Sequence, residues 1–246
     1  MTQILFLIPL VLLLAFLYSS VGHGGASGYL AAMSLFALAP REMSTTALVL
    51  NLAVAGTATV AYWRAGHLSL MLPLQFLLTS VPAAFLGGMI HIPAIIYGLL
   101  LAATLTFAAV RLFLTGLDSS PQETRPVRTG VALFAGGGIG LLSGMVGVGG
   151  GIFLSPLMLL MRWADVKQTA AASAVFIVAN SLSGLMGRTL AGNMAVGQLG
   201  FLVAPAFVGG LLGSQLGAWK LSGMTLRRLL GVVLLIAAAK LILAVR

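Results

Sequence analysis

The stretch "SSVGHGGASG" at residues 19–28 interrupts a chain that otherwise reads as lipid-soluble helix, and "SGMVGVGGGIF" at residues 143–153 interrupts it in the same way further on. In hydrocarbon, a freed backbone N–H or C=O has no water to satisfy it. Non-helical backbone therefore persists at membrane depth only when buried in protein or lining a wet cavity. Glycines at 22, 24, 25 and 28, and at 147, 149, 150 and 151, permit positive φ and close approach to the main chain. What these two breaks are for decides the reading of the whole chain.

The surrounding composition fixes the class. Of 246 residues 60% are hydrophobic and 7% charged, against about 25% charged in a soluble domain. Apolar runs recur from end to end, which implies an integral membrane protein without a sizeable soluble domain. The chain has no cysteine, so disulfides, thiol chemistry and Cys-ligated metals are excluded. Its net charge of +9 comes from Lys and Arg scattered singly at segment ends, the pattern of membrane loops and not of a nucleic-acid-binding patch. The N-terminal run lacks a basic flank and continues into further apolar chain, so it reads as retained structure.

Apolar runs bounded by charge, Gly/Pro clusters or polar loops give ten segments, at 4–20, 26–39, 44–63, 69–89, 92–115, 130–146, 151–161, 167–187, 196–218 and 226–245. Crossing the hydrocarbon takes about 20 residues, with about 17 as the lower end. The segments 26–39 and 151–161 are too short to cross comfortably, and each directly follows a glycine break. The aqueous stretch "GLDSSPQETRPVRTG" (116–130) separates the halves. Landmarks on its two sides match in order. "VGHGGASGYLAAMSLF" pairs with "VGVGGGIFLSPLMLL", Asn51 with Asn180, "YWRAGHLSL" with "RTLAGNMAV", and "SVPAAFLGGMI" with "VAPAFVGGLLG". An internal duplication follows, with a first membrane repeat over 1–115, a linker over 116–129 and a second repeat over 130–246.

Alternating the loops collects Arg64, Arg111, Arg125, Arg128, Arg162, Lys167, Lys220, Arg227 and Arg228 on one side, and Arg41, Arg188, Lys240 and Arg246 on the other. The richer side is expected to be cytoplasmic, which makes 116–129 a cytoplasmic linker and puts both termini outside. Five segments per half is an odd number, so the second half enters from the opposite face. That parity survives if segments 1–2 and 6–7 turn inside the bilayer as hairpins. The expected fold is an all-α integral membrane protein, an inverted-topology repeat of two five-segment halves, with about eight full transmembrane helices and two short, broken or re-entrant segments.

Each break has two readings. A short helix starting after it would aim its first N–H groups at a cavity, which favours anions. Alternatively, the glycines only allow tight helix crossing. Duplication, with a helix too short to span after each break, favours the binding site. Ser19, Ser20 and Ser143 either donate to an anion or back-bond to their own helices. Asn51 and Asn180, mid-helix amides that need partners, either support the broken backbone or face the substrate. His23, whose counterpart is Val148, is a proton carrier or anion ligand, or else a neutral ring on a backbone carbonyl. Arg188 reads as an interfacial anchor in preference to a residue at an anion-attracting mouth. His67 and His91 fall at loop positions.

No paired-carboxylate site, HExxH, catalytic triad or Walker A pattern is present, so an enzyme is not expected, nor a cofactor or metal. All four acidic residues, Glu42, Asp118, Glu123 and Asp165, fall in loops, which argues against cation transport and leaves an anion.

The strings "YSSVGHGGASGYLAAMSL", "GLLSGMVGVGGGIFLSPLML", "YWRAGHLSL" and "GRTLAGNMAVG" resemble the TauE/SafE family of sulfite and organosulfonate exporters, over almost the whole chain. The resemblance implies a multi-pass bacterial inner-membrane protein that moves a small sulfur-containing anion such as sulfite or sulfoacetate, in the export direction. It also implies that functional residues map onto the glycine breaks and their polar flanks. The "T-S"-like pair that begins a helix after the break stands here as Thr45 and Thr46, while the second half reads "QTAAASAV" and leaves Thr169 and Ser173. The substrate-binding set expected is thus Ser19, Ser20, Gly22, His23, Gly24, Gly25, Thr45, Thr46, Asn51, Ser143, Gly147, Gly149, Gly150, Gly151, Thr169, Ser173 and Asn180. Expected partners are the small anion, the lipid bilayer and, as one assembly, a second copy of the chain in a homodimer. The mechanism expected is alternating access around the two breaks; an anion channel and a non-transporting scaffold for a sulfur or redox enzyme are the alternatives.

Overall fold

The computed structural model of the chain describes residues 6–36, 38–114, 124–195 and 198–220. These residues form α-helices and one 3₁₀ turn: α1 (Leu7–Ser19), α2 (Ala26–Ser34), α3 (Pro40–Arg64), α4 (Met71–Met89), α5 (Ala94–Leu114), α6 (Thr129–Val146), α7 (Gly151–Leu160), α8 (Val166–Leu190), the 3₁₀ turn Gln198–Leu202, and α9 (Val203–Trp219). The tenth expected segment, 226–245, lies outside the described residues.

Local chemistry explains where the helices begin and end. Pro40 opens α3 with its missing N–H at a position that has no intrahelical acceptor, Glu42 sits in the first turn and Arg64 in the last. The residue before it, Ala39, is held extended, so α2 cannot run on to residue 39 as its hydrophobicity suggests. At α8, Gln168 N–H donates to the Asp165 carboxylate (2.8 Å) and Asp165 N–H to the Gln168 side-chain oxygen (3.3 Å), a reciprocal capping box. The matched "AGH" and "AGN" turns are the same helix-ending device. Gly66 and Gly192 take φ of 77° and 66°, and the next residue donates back five positions, His67 to Tyr62 and Asn193 to Arg188.

Among the described residues, five helices are long and apolar enough to cross a membrane: α3, α4, α6, α8 and 199–219. α1 has 13 residues, shorter than the 4–20 segment expected. The 9-residue α2 and 10-residue α7 are about 14 and 15 Å long at 1.5 Å per residue, half the hydrocarbon thickness of about 30 Å. Both breaks and both short helices thus fall where the sequence puts them.

Packing crosses between the halves. α4 lies along α6 and α8, and α9 lies along α1 and α3. The α4–α6 seam is backbone against backbone: a Cβ on Gly136, Gly140 or Gly144 would collide with the carbonyls of Phe76, Ser80 or Ala84. The α1–α9 seam repeats this with Gly209, Gly213 and Gly217 against Leu12, Phe16 and Ser20. Residue numbers rise together along each seam, so both pairs run parallel, with glycine every four residues, the spacing that lets membrane helices touch closely. α3 and α8 run antiparallel, with Ser44 near Arg188 and Asn51 near Ser181. Large apolar side chains such as Leu78, Phe134 and Leu190 are exposed on the outside, as a lipid-facing surface requires.

The α6 seam yields a sharp contrast. Gly140→Ala is expected to lower thermal stability by more than 1 kcal/mol through overpacking. Gly138, with nothing near its Cβ position, is expected to tolerate alanine or gain about 0.5–1 kcal/mol from reduced chain entropy. Equal melting temperatures for the two variants would contradict the seam.

Candidate functional site

Each break begins as a helix end. At the first, Gly22 N–H donates to Ser19 O (3.0 Å) and His23 N–H to Tyr18 O (2.9 Å), a Schellman cap that needs the left-handed φ of 74° at Gly22. At the second, Gly147 (φ 87°) closes α6 by donating to Ser143 O at 2.8 Å. Left-handed Gly25 and Gly150 then reverse the chain into α2 and α7. Gly22 abuts Ala170 near the start of α8, and Gly147 abuts Ser44 near the start of α3. Because α3 and α8 are antiparallel, the α1–α2 and α6–α7 hairpins reach past each other from opposite ends.

Where they pass, Asn51 joins them. Its Oδ1 accepts from Ala26 N–H, the first amide of α2 (3.2 Å), and its Nδ2 donates to Val148 O in the second break and to Ser181 Oγ on α8 (both 3.3 Å). Both amide donors and one acceptor site are used, and the side chain is fully buried. Gly24 and Gly149 flank it. A Cβ on Gly24 would strike Asn51 Oδ1, one on Gly149 would strike Nδ2, and both would press on Ile177. The glycines here make room for one amide and one isoleucine.

Asn180 does not repeat this role. α3 and α8 are both 25 residues long, and the twelfth residue is Asn51 in one and Ile177 in the other. Asn180 sits three further on and donates to Phe176 O of its own helix (2.8 Å), while its Oδ1 is buried without a partner. The sequence match of asparagine with asparagine therefore misses the structural register.

His23 connects the first break to the second half. Its Nδ1 lies 2.9 Å from Val21 O, its Nε2 lies 3.1 Å from Ser155 Oγ on α7, and Ser155 Oγ lies 2.7 Å from Ser173 Oγ on α8. With Nδ1–H donating to the carbonyl, a neutral ring accepts from Ser155. A protonated ring donates to Ser155 instead, and rotating the two hydroxyls satisfies either state.

The remaining candidates divide. Ser19 and Ser20 back-bond to Phe16 O (3.3 Å) and Leu17 O (2.7 Å). Ser143, Thr45 and Thr169 are buried with unpartnered hydroxyls. Thr45 and Thr46 line a small gap with Leu199 and Val203, away from Asn51. Gly151 is packed against Ile177.

Arg188 overturns the expectation of an interfacial anchor. It is 5% exposed and donates to Ser44 Oγ (2.8 Å), Gly144 O (2.8 Å) and Met145 O (3.0 Å). It therefore ties α8 to α3 and to the end of α6. Ser155, Ser181 and Ser44 also escape the sequence reading. Single serines in apolar helices are usually back-bonded, and only their placement opposite His23, Asn51 and Arg188 marks these three.

A family model described as sulfite exporter TauE/SafE matches residues 7–241. The chain is also similar to a probable membrane transporter protein, y4hK, of Sinorhizobium fredii, at 35% identity over 234 residues, covering 93% of this chain and 94% of that one. No solved structure matches.

Proposed function

Because this chain belongs to the sulfite exporter TauE/SafE family and is a multi-pass membrane protein, we propose that it is a secondary transporter exporting a small sulfur-containing anion, sulfite, sulfoacetate or another organosulfonate, across the bacterial inner membrane. The observation that carries this reading is the junction at Asn51, where hairpins from opposite ends meet around one buried amide. Corresponding helix breaks that converge from opposite ends support an inverted repeat, the architecture in which secondary transporters place their substrate site. The exchange of α4 and α9 between the halves supports the same symmetry.

In this reading the filled junction is the occluded barrier. Rocking of one hairpin against the other opens it on alternate sides, with the α2 and α7 N-termini, His23, Ser155 and Ser173 meeting the anion. An inside-negative potential drives an anion outward, by about 2.3 kcal/mol per charge per 100 mV.

The test is counterflow in proteoliposomes with sulfite, thiosulfate, sulfoacetate, sulfate and taurine. Saturable exchange of at least one sulfur oxyanion is the expected result. Currents far above carrier turnover would identify a channel. Absence of flux for every anion would favour the scaffold, a reading that draws on the same tight packing around Asn51 and Ile177.

His23 makes a separate prediction. His23→Val, which gives the first break the residue of its counterpart Val148, is expected to lower flux about tenfold, roughly the loss of one hydrogen bond, because it removes the ring that joins Val21 O to Ser155 Oγ. Flux unchanged by the substitution would remove His23 from the cycle.

A further inference from the structure

At the end of the molecule where α3 begins and α4 and α8 finish, Arg41, Ser44, His91, Tyr97, Arg188 and Asn193 line a cavity of about 30 Å³. Arg188 and Ser44 form its buried side, and Arg41 and His91 its exposed side. The charge balance here is unusual. A guanidinium has five N–H donors; three of Arg188's are taken by Ser44 Oγ, Gly144 O and Met145 O. Nε–H is buried with no acceptor, and one Nη1 hydrogen is left over. Among the described residues no carboxylate pairs with it, and Glu42, next to Arg41 in sequence, does not line the cavity.

A buried cation is costly unless compensated. The C-terminus of α6 supplies a partial compensation of about half an elementary charge. Roughly half of the Arg188 charge is left, and Arg41 brings a further positive charge to the same space. Arg41 is turned aside in the present arrangement, its Nη2 lying 2.9 Å from His91 Nε2. A cavity of about 30 Å³ matches the share of one water, smaller than an oxyanion. The two residues on its open side are both exposed, and these are what must move to admit one.

We propose that this cavity is an oxyanion-binding site, in which the Arg188 guanidinium from inside and Arg41 from the mouth hold a small anion of the sulfite or sulfonate type. Its place as a docking station on the transport path rests on the carrier reading given above; the binding itself does not. The site lies on the sparsely basic side, so for an exporter it is the exit. Arg188 joins it to the Gly144–Met145 turn of the second break and Ser44 joins it to α3, so occupancy there is felt where the hairpins meet.

The experiment is isothermal titration of the purified full-length protein in detergent with sodium sulfite, sodium sulfoacetate and sodium sulfate, alongside concentration-dependent flux in proteoliposomes. Arg41→Gln removes one exposed charge and is expected to weaken oxyanion binding about tenfold, the loss of one charge-assisted hydrogen bond. Arg188→Lys is expected to weaken it at least as much, because an ammonium cannot hold the α6 carbonyls and present the remaining donors together. Binding that Arg41→Gln weakens, without flux of any anion, supports the site and sinks the carrier reading. Flux and binding unchanged in both variants overturn the site and leave the carrier intact. A natural protein that binds none of the three salts overturns the site too.

Discussion

Asn51→Leu is expected to abolish anion flux and to lower the unfolding free energy by about 2–4 kcal/mol, the cost of leaving two buried polar groups without partners. Leucine has nearly the same volume, so packing survives while the Ala26 N–H and the Val148 carbonyl lose the side chain that bridges them. These groups belong to different hairpins, and nothing else in the junction replaces a side chain that accepts from one and donates to the other. Bonds between membrane helices are often modest because the unfolded chain finds substitutes, which sets the lower end of the range. Thermal unfolding in detergent and counterflow in liposomes read the two effects separately. A variant that transports at the natural rate would remove the junction from the mechanism.

Gly149→Val is expected to be at least as damaging. Gly149 has a φ of 77°, where a non-glycine residue costs about 1–2 kcal/mol and a β-branched one more. Its Cβ would also drive into Asn51 Nδ2 and Ile177. The predicted outcome is lost flux together with a lowered melting temperature, not a well-folded inactive carrier. Gly149→Ala combined with Asn51→Ala makes the sharper test. If both act by breaking one junction, their stability costs fall short of adding, with an interaction of about 0.5–3 kcal/mol. Strict additivity would show that the glycine and the amide work independently.

Much of this was legible in the residues. Glycine pairs in otherwise unbroken apolar chain announce a reversal, because few other residues turn a membrane helix around, and the short runs after them follow from length alone. The register between halves is misread when asparagine is matched with asparagine, although the "AGH" and "AGN" turns at 65–67 and 191–193 already make residue 177 the equivalent of Asn51. Asn51 and Asn180 look equivalent because asparagine in an apolar helix is rare, yet α3 and α8 pair by distance from their capped ends, and that pairing sets Asn51 against Ile177. Arg188 misleads in the opposite direction. Its place beside an "AG" turn at a segment end is where anchoring arginines stand. What buries it is Ser44, 144 residues earlier, together with the tip of α6. Long-range partners of this kind leave no local mark.

The crossed packing of α4 and α9 has a consequence for how the protein is made. α4 leaves the ribosome before α6 and α8, the helices it lies against, and α1 waits longest of all for α9. Most glycines that fit these seams are carried by the later helices, α6 and α9, with Gly87 and Gly88 of α4 as the exceptions, so the early helices enter the bilayer as largely complete lipid-facing rods and acquire their partners afterwards. The helices up to α5 are therefore expected to behave as an assembly intermediate when made alone, without transport activity of their own. Two separately translated halves should become competent only when they share a membrane.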